Sequence, residues 1–291
     1  MVINKHGSFY LRSGWGTKII RAVMADDMIF SPANEQEAVD RIGLGRVMIK
    51  ALRYWADASG LTTEEKVQSG IAERRTTLFD LLEANDRYFQ KAGSLLLLHR
   101  NIALNEENAT AWYWAFNEFD KQSFSKEEFV EGLHYFLAVN GMSIKKSAVD
   151  KEFNCFKNTY LAVKKFDIKS VMDEDTYPFF GALHLLRVNE DKKLEKTHLT
   201  KAEMPLYILI YAIAKDNLEE SSHRGQISID KIMEEKRQVG KYFPMRYSKL
   251  IDMLLEAENK KLLTLNNNFG NRFIEFSNVQ YDSLLEEYYM E

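Results

Sequence analysis

The stretch SPANEQEAVDRIGLGRVMIKALRYWADASG, residues 31–60, decides how the N-terminal part of the chain is read. Ser31 is a helix N-cap candidate, with Pro32 at the first helical position and Glu35 and Glu37 in the opening turns. The helix is predicted to run to Ile42, and Gly43-Leu44-Gly45 supplies a tight turn. A second helix follows over residues 46–59, and Gly60 stands where a left-handed C-terminal cap belongs. Ala38, Ile42, Leu44, Ile49 and Leu52 are all apolar, and the small Val39 lets the two helices approach, which is the spacing of a helix-turn-helix. On the second helix Met48, Leu52 and Trp55 share one face, while Arg46, Lys50, Arg53 and Asp57 share the opposite one. A recognition helix needs such an apolar back and a front of long side chains that reach phosphates and base edges. An ordinary two-helix hairpin with a solvated charged face has the same composition. The turn glycine and the apolar core positions together favour the helix-turn-helix. Residues 62–75, ending in Arg74 and Arg75, are expected to form a wing.

Working outward, the 291 residues imply two domains or three small ones, and 18 Phe, 14 Tyr and 4 Trp supply bulk for more than one core. Only 4 Pro and 14 Gly leave little room for flexible linkers, and a disordered chain does not fit 45% hydrophobic residues. The lone Cys155 excludes an internal disulfide and paired-cysteine metal or redox sites; near Phe153 and Phe156 it reads as an inert core thiol. The first ten residues lack the apolar run of a signal peptide, and the longest apolar stretch, residues 204–214, is far short of a bilayer span, so a cytoplasmic protein is expected. The net charge of -4 argues against coating DNA by charge alone. Residues 1–75 hold 11 basic and 9 acidic side chains, so the N-terminal end is the electropositive one.

Residues 76–200 read as a helical domain. Leu95 to Leu98 and the cluster Trp112, Tyr113, Trp114, Phe116 and Phe119 are too dense in aromatics for a surface. Ser125 and Glu128 form a capping box that opens a helix to about Val139. After Asn140-Gly141, a helix from Ser147 carries Val149, Phe153, Phe156 and Tyr160 on one stripe, and this pair also fits a second DNA-reading unit. Residues 201–291 order themselves as helix (204–215), strand (226–229), helix (231–237), helix (245–259) and a hairpin with its turn at 266–271. The 245–259 helix is expected to bury Leu250, Ile251, Leu254 and Leu255, with Arg246, Lys249, Asp252 and Glu256 outward. That order is a winged helix, and its mixed charge suits DNA or a partner protein equally. The expected fold is mainly α, with winged-helix or helix-turn-helix modules at 1–75 and 201–291 flanking a helical, aromatic-rich domain at 76–200.

Several segments carry a family resemblance: Phe9-Tyr10-Leu11-Arg12-Ser13-Gly14-Trp15 with Lys18; Gly43-Leu44-Gly45 through Arg53-Tyr54-Trp55; and Leu95-Leu96-Leu97-Leu98-His99. Trp112-Tyr113-Trp114-Ala115-Phe116-Asn117, residues 150–160 and Pro178-Phe179-Phe180 before Leu185-Leu186 add to it. Together they resemble Domain of Unknown Function 4007, which includes the SspB-like proteins of bacterial DNA-phosphorothioation defence systems. The resemblance spans most of residues 6–190 and does not reach the C-terminal winged helix. It implies a partner of a cysteine desulfurase, an ATPase and an ATP-pyrophosphatase-type sulfurtransferase. It also implies DNA nicking that opens one strand for sulfur insertion. Family members tend to read His-Glu-Thr-Phe where this chain has His6-Gly7-Ser8-Phe9, so a glutamate of the pattern is absent.

A metal-dependent nuclease needs converging carboxylates. Asp173, Glu174 and Asp175 are adjacent and read as a solvated loop, and the six histidines show no metal-ligand spacing. Gly43-Leu44-Gly45 is not a nucleotide loop, since neither a preceding strand nor a following Gly-Lys-Ser/Thr is present. No catalytic residue is nominated and no cofactor identified; magnesium or manganese would be needed for nicking. His6 fits either a general base or a plain surface histidine. The residues expected to meet duplex DNA are Arg12, Lys18, Arg46, Lys50 and Arg53, with Arg246, Lys249 and Arg272 in the terminal module. The expected function is a DNA-binding component of a phosphorothioation system. The alternative is a non-enzymatic winged-helix adaptor or transcriptional regulator.

Overall fold

The computed structural model describes residues 1–161, 177–219, 222–268 and 271–291. Helices dominate, accompanied by small antiparallel sheets, so the fold is mainly α. The chain divides into two compact units, residues 1–115 with 119–195, and 116–118 with 196–291. No helix among the described residues is long and apolar enough to cross a membrane.

The first unit opens with a helix that the local sequence hides, α1 (Trp15–Ala25), whose N-cap Gly14 is left-handed at φ 80°. Residues 32–34 form a single 3-10 turn leading into α2 (Glu35–Ile42), which stops at Gly43 with φ 73°. Ser31 does not cap the helix: its buried hydroxyl accepts instead from the Ile71 N–H, 3.4 Å away. α3 (Arg46–Ala58) follows, and Gly60 turns the chain at φ 72°. Ala38, Ile42, Leu44, Ile49 and Leu52, the apolar positions read from the sequence, are all buried. β1 (Thr62–Val67) and β2 (Gly70–Arg75) pair antiparallel, with Glu64 opposite Glu73.

Next come α4 (Thr77–Asn85), α5 (Ala92–Leu104), α6 (Thr110–Asn117), β3 (Ser123–Phe124), α7 (Lys126–Val139) and α8 (Lys146–Tyr160). Both halves of the Ser125–Glu128 capping box are formed at the start of α7. β4 (Leu186–Val188) and β5 (Leu194–Lys196) complete a sheet of order β3-β5-β4. The core runs across position 75: Trp55 meets Trp112 edge-on at 5.2 Å between centroids, and Trp112 meets Phe156 at 5.9 Å. Cys155 is buried here, and burial pushes its thiol well above the ordinary range, which keeps it an inert thiol.

The second unit contains α9 (Leu206–Asn217), β6 (Gly225–Ser228), α10 (Ile229–Glu234), α11 (Val239–Tyr242) and α12 (Tyr247–Asn259). A hairpin of β7 (Thr264–Asn268) and β8 (Asn271–Phe276) precedes the closing helix α13 (Tyr281–Met290). The strands order as β6-β8-β7, with Ile274 opposite both Ile227 and Leu265. α12 is rotated from the expected phase: Leu250, Met253, Leu254 and Ala257 face inward, Ile251 is half-buried and Leu255 is exposed. The buried stripe follows the i, i+3, i+4, i+7 spacing from Leu250 through Met253 and Leu254 to Ala257, which leaves Ile251 at its margin and Leu255 outside it.

Candidate nucleic-acid interface

The basic face of α3 is only partly open. Arg46 is exposed and donates to Gln36 Oε1 at 3.0 Å, and the exposed Lys50 Nζ lies 3.0 Å from Glu35 Oε1. One turn on, the β1–β2 hairpin folds over the helix. Arg53 sits between Glu64 Oε1 at 2.7 Å and the fully buried Glu73 at 3.3 Å. Arg53 is therefore held by two carboxylates rather than presented to solvent. Arg12 is half-buried, its guanidinium 5.0 to 5.6 Å from the ring centroids of Phe9, Tyr10 and Trp15. In the second unit Arg246 is exposed at the N-cap of α12, Lys249 lies 3.4 Å from Asp252, and Arg272 is exposed on β8 opposite Asn267.

Beside the turn between α2 and α3, a groove of about 270 Å³ gathers Lys18 and Arg21 from α1 with Arg41 from α2, over Ala22, Ala25, Ile29 and Ile42. Lys18 Nζ reaches the Ile42 carbonyl at 3.4 Å, and Arg41 lies 2.9 Å from Glu37 and 3.8 Å from Asp26. Only Lys18 of these three was predicted from the sequence. Arg21 stands three residues after Lys18, a helical spacing whose meaning depends on recognising α1.

A larger cleft of about 660 Å³ lies between α3, the residues around Ser31 and the hairpin. Its lining includes Phe30, Pro32, Ile49, Lys5, Lys50, Arg53, Asp57 and Glu64. Burial raises the Asp57 carboxyl from its ordinary value, Glu64 adds to the rise, and Lys5 and Arg53 oppose it. Behind the cleft, burial pushes Glu73 up to about 7, against the hydrogen bond from Thr62 at 2.7 Å and the nearby Arg53 charge. Desolvation wins over the ion pair because the carboxylate loses nearly all its water.

His6 is not a surface histidine. It is 1% exposed, stacked at 6.0 Å on Trp55, with Nε2 3.0 Å from the buried Glu152 Oε2. Its Nδ1 accepts from the Ser8 N–H at 3.1 Å, which leaves the ring proton on Nε2, facing Glu152. Glu152, on α8, also accepts from the Asn4 N–H, so it fixes the N-terminal turn from far along the chain.

Among the described residues no group of three or more His, Cys, Asp or Glu is placed to hold a metal ion, and between Glu64 and Glu73 stands the Arg53 guanidinium. Asp173, Glu174 and Asp175 lie outside the described residues.

The family model described as "Protein of unknown function (DUF4007)" matches residues 3–289, which takes in the C-terminal unit that the residue-level resemblance did not reach. A crystal structure of magnesium-ion-bound SspB is similar at a TM-score of 0.87 and 22% identity, covering 99% of this chain and 88% of that one. A second SspB crystal structure is similar at a TM-score of 0.85, with the same identity and coverage. No curated protein matches the chain.

Proposed function

This chain belongs to the DUF4007 family, and we propose that it is the DNA-binding component of a bacterial DNA-phosphorothioation defence system, working in the cytoplasm. The observation that carries the reading is the convergence of Lys18, Arg21 and Arg41 in one groove beside the α2–α3 turn. We read α1 to α3 with the β1–β2 hairpin as a helix-turn-helix followed by a wing, and α9 to β8 as a second winged helix. In the first, exposed Arg46 and Lys50 at the start of α3 stand where a recognition helix meets a groove. The groove cations would hold the phosphate backbone, which positions the duplex without reading its sequence. The SspB-like fold supports the phosphorothioation setting, with a cysteine desulfurase, an ATPase and a sulfurtransferase as partners of the same locus.

The test is fluorescence anisotropy of a labelled duplex against salt. Changing Lys18, Arg21 and Arg41 together to Ala is expected to flatten the salt dependence and weaken binding at least tenfold, roughly the cost of losing a few phosphate contacts. Native-like binding by that triple variant would overturn the reading. Nicking belongs to the assembled system in this proposal, and supercoiled plasmid with the purified chain and magnesium or manganese, beside an EDTA control, is expected to show little relaxation. A second reading attaches to the C-terminal unit, where Tyr247 and Leu255 are exposed on a helix of mixed charge. That surface suits a partner protein better than a phosphate backbone.

A further inference from the structure

The cleft between α3 and the β1–β2 hairpin adjoins the groove of Lys18, Arg21 and Arg41 across Ile29, which lines both, and its chemistry is different. Phe30, Pro32 and Ile49 give it an apolar side. Asp57 and Glu64 give it carboxylate acceptors, and Asn108, which donates its amide to Asp57 at 3.0 Å, holds one of them in place. Lys5 and Lys50 line it while remaining exposed, and Glu35, which also lines it, lies 3.0 Å from the Lys50 ammonium. Its polar groups already have partners: Arg53 pairs with Glu64, Glu35 pairs with Lys50, and the His6–Glu152 contact holds the turn that carries Lys5.

Few ligands satisfy all of this at once. A simple anion would meet the carboxylates, a simple cation would meet the lysines, and an apolar molecule would strip water from both. A nucleotide carries flat apolar faces, amino donors on the edge of cytosine, adenine or guanine, and an anion at one end. Carboxylates accept well from such amino groups, the pairing known for Asp and Glu with cytosine. The volume, about 660 Å³, lies within the ordinary range for a small-molecule pocket.

We propose that this cleft receives one unstacked nucleotide of the bound DNA, with its base between Phe30, Pro32, Ile49 and the Asp57 and Glu64 carboxylates and its phosphate at Lys5 and Lys50. The inference rests on the DNA-binding reading and assigns a second site within it. A base enters such a pocket only after leaving the helix stack, which costs least where the base is already unpaired. Cytosine, adenine and guanine offer an exocyclic amino donor, whereas thymine offers only its ring N3–H, so thymine is the poorest occupant.

The experiment compares anisotropy binding of the full chain to a labelled duplex and to the same duplex with one extra, unpaired cytosine. The unpaired cytosine is expected to tighten binding roughly tenfold, and an unpaired thymine clearly less. Thr63→Trp, at an exposed β1 position that lines the cleft, fills it and is expected to return the ratio to one. Glu64→Ala removes an acceptor instead of space and is expected to lower the ratio by a different route. Lys18→Ala with Arg21→Ala is expected to weaken both complexes and keep the ratio. Equal affinity of the native chain for the two duplexes, or a preference that survives Thr63→Trp, overturns the proposal while leaving duplex binding intact. Failure to bind either duplex overturns the DNA-binding reading as well. Free deoxycytidine 5′-monophosphate is the remaining arm: its binding in the absence of any preference between the duplexes overturns the strand as the source of the nucleotide.

Discussion

Nε2 of His6 lies 3.0 Å from Oε2 of Glu152, and the two side chains are buried together against Trp55 and Trp112. The contact joins the N-terminal turn to α8, and Glu152 also accepts from the Asn4 N–H. Removing the imidazole would leave the buried carboxylate with only the Asn4 N–H and a void among the rings of Tyr54, Trp55 and Trp112. His6→Ala is therefore expected to destabilise the chain by about 3 kcal/mol, with Glu152→Gln milder because the amide still accepts from Asn4. Urea unfolding followed by tryptophan fluorescence measures this. An unchanged midpoint for His6→Ala would show that the pair contributes nothing to the fold.

Glu73 gives the first unit a pH dependence with a definite sign. Its carboxyl titrates near 7 in the folded chain against an ordinary value of 4.5, so the folded state binds the proton more tightly than the unfolded one. The stability this contributes is complete below the unfolded value and is lost as pH rises from about 4.5 through 7. The shift corresponds to at most about 3 kcal/mol between those limits. Asp57 is raised in the same direction and adds to the trend. Glu73→Gln keeps a polar group beside Thr62 and cannot ionise. Its thermal midpoint is expected to vary less than that of the native chain between pH 5 and about pH 8. Parallel pH curves for the two proteins would place the proton elsewhere.

The two basic sets on the first unit are expected to behave differently when truncated. Lys18→Ala and Arg21→Ala remove side chains from the open groove, and each should lower the salt slope of duplex binding by roughly one unit with little effect on stability. Arg53→Ala takes the nearest positive charge from the buried Glu73 instead, so it should lower the melting midpoint chiefly above about pH 7, where that carboxyl would otherwise ionise, and leave the salt slope nearly unchanged. A normal melting curve with a reduced slope for Arg53→Ala would move Arg53 into the phosphate-binding set.

What the sequence made legible was local. The turn at Gly43, the apolar positions from Ala38 to Leu52 and the Ser125–Glu128 box all act within a few residues, and all are formed. α1 escaped because its N-terminus carries no usual start signal: Gly14 caps it in a left-handed conformation, without a side-chain acceptor or an acidic first turn. The covering of Arg53 depends on the hairpin returning over α3, and the burial of His6 depends on Glu152, far along the chain. Neither pairing leaves a periodic trace in the sequence. The cleft was invisible for the same reason, since its lining comes from the N-terminal turn, the Ser31 region, α3, β1 and Asn108.

The C-terminal unit offers a test of independent folding. Ile208 and Ile213 of α9, Ile229 and Ile232 of α10, Leu250 and Leu254 of α12 and Ile274 of β8 are all fully buried, while α13 adds Leu284, Leu285 and Tyr288. A core of this kind closes without help from a ligand or a disulfide. The same compact unit includes residues 116–118, and Asn117 Oδ1 accepts from the Arg237 N–H at 2.7 Å. Arg237 has a positive φ of 64°, so its amide sits in a strained turn that Asn117 holds. A fragment of residues 196–291 is expected to fold cooperatively by circular dichroism, but to be about 1 kcal/mol less stable than one in which that amide has a substitute acceptor. Arg237→Gly relieves the backbone strain and should recover part of the loss in the fragment. A fragment that melts without a cooperative transition would mean that the unit cannot form its core alone.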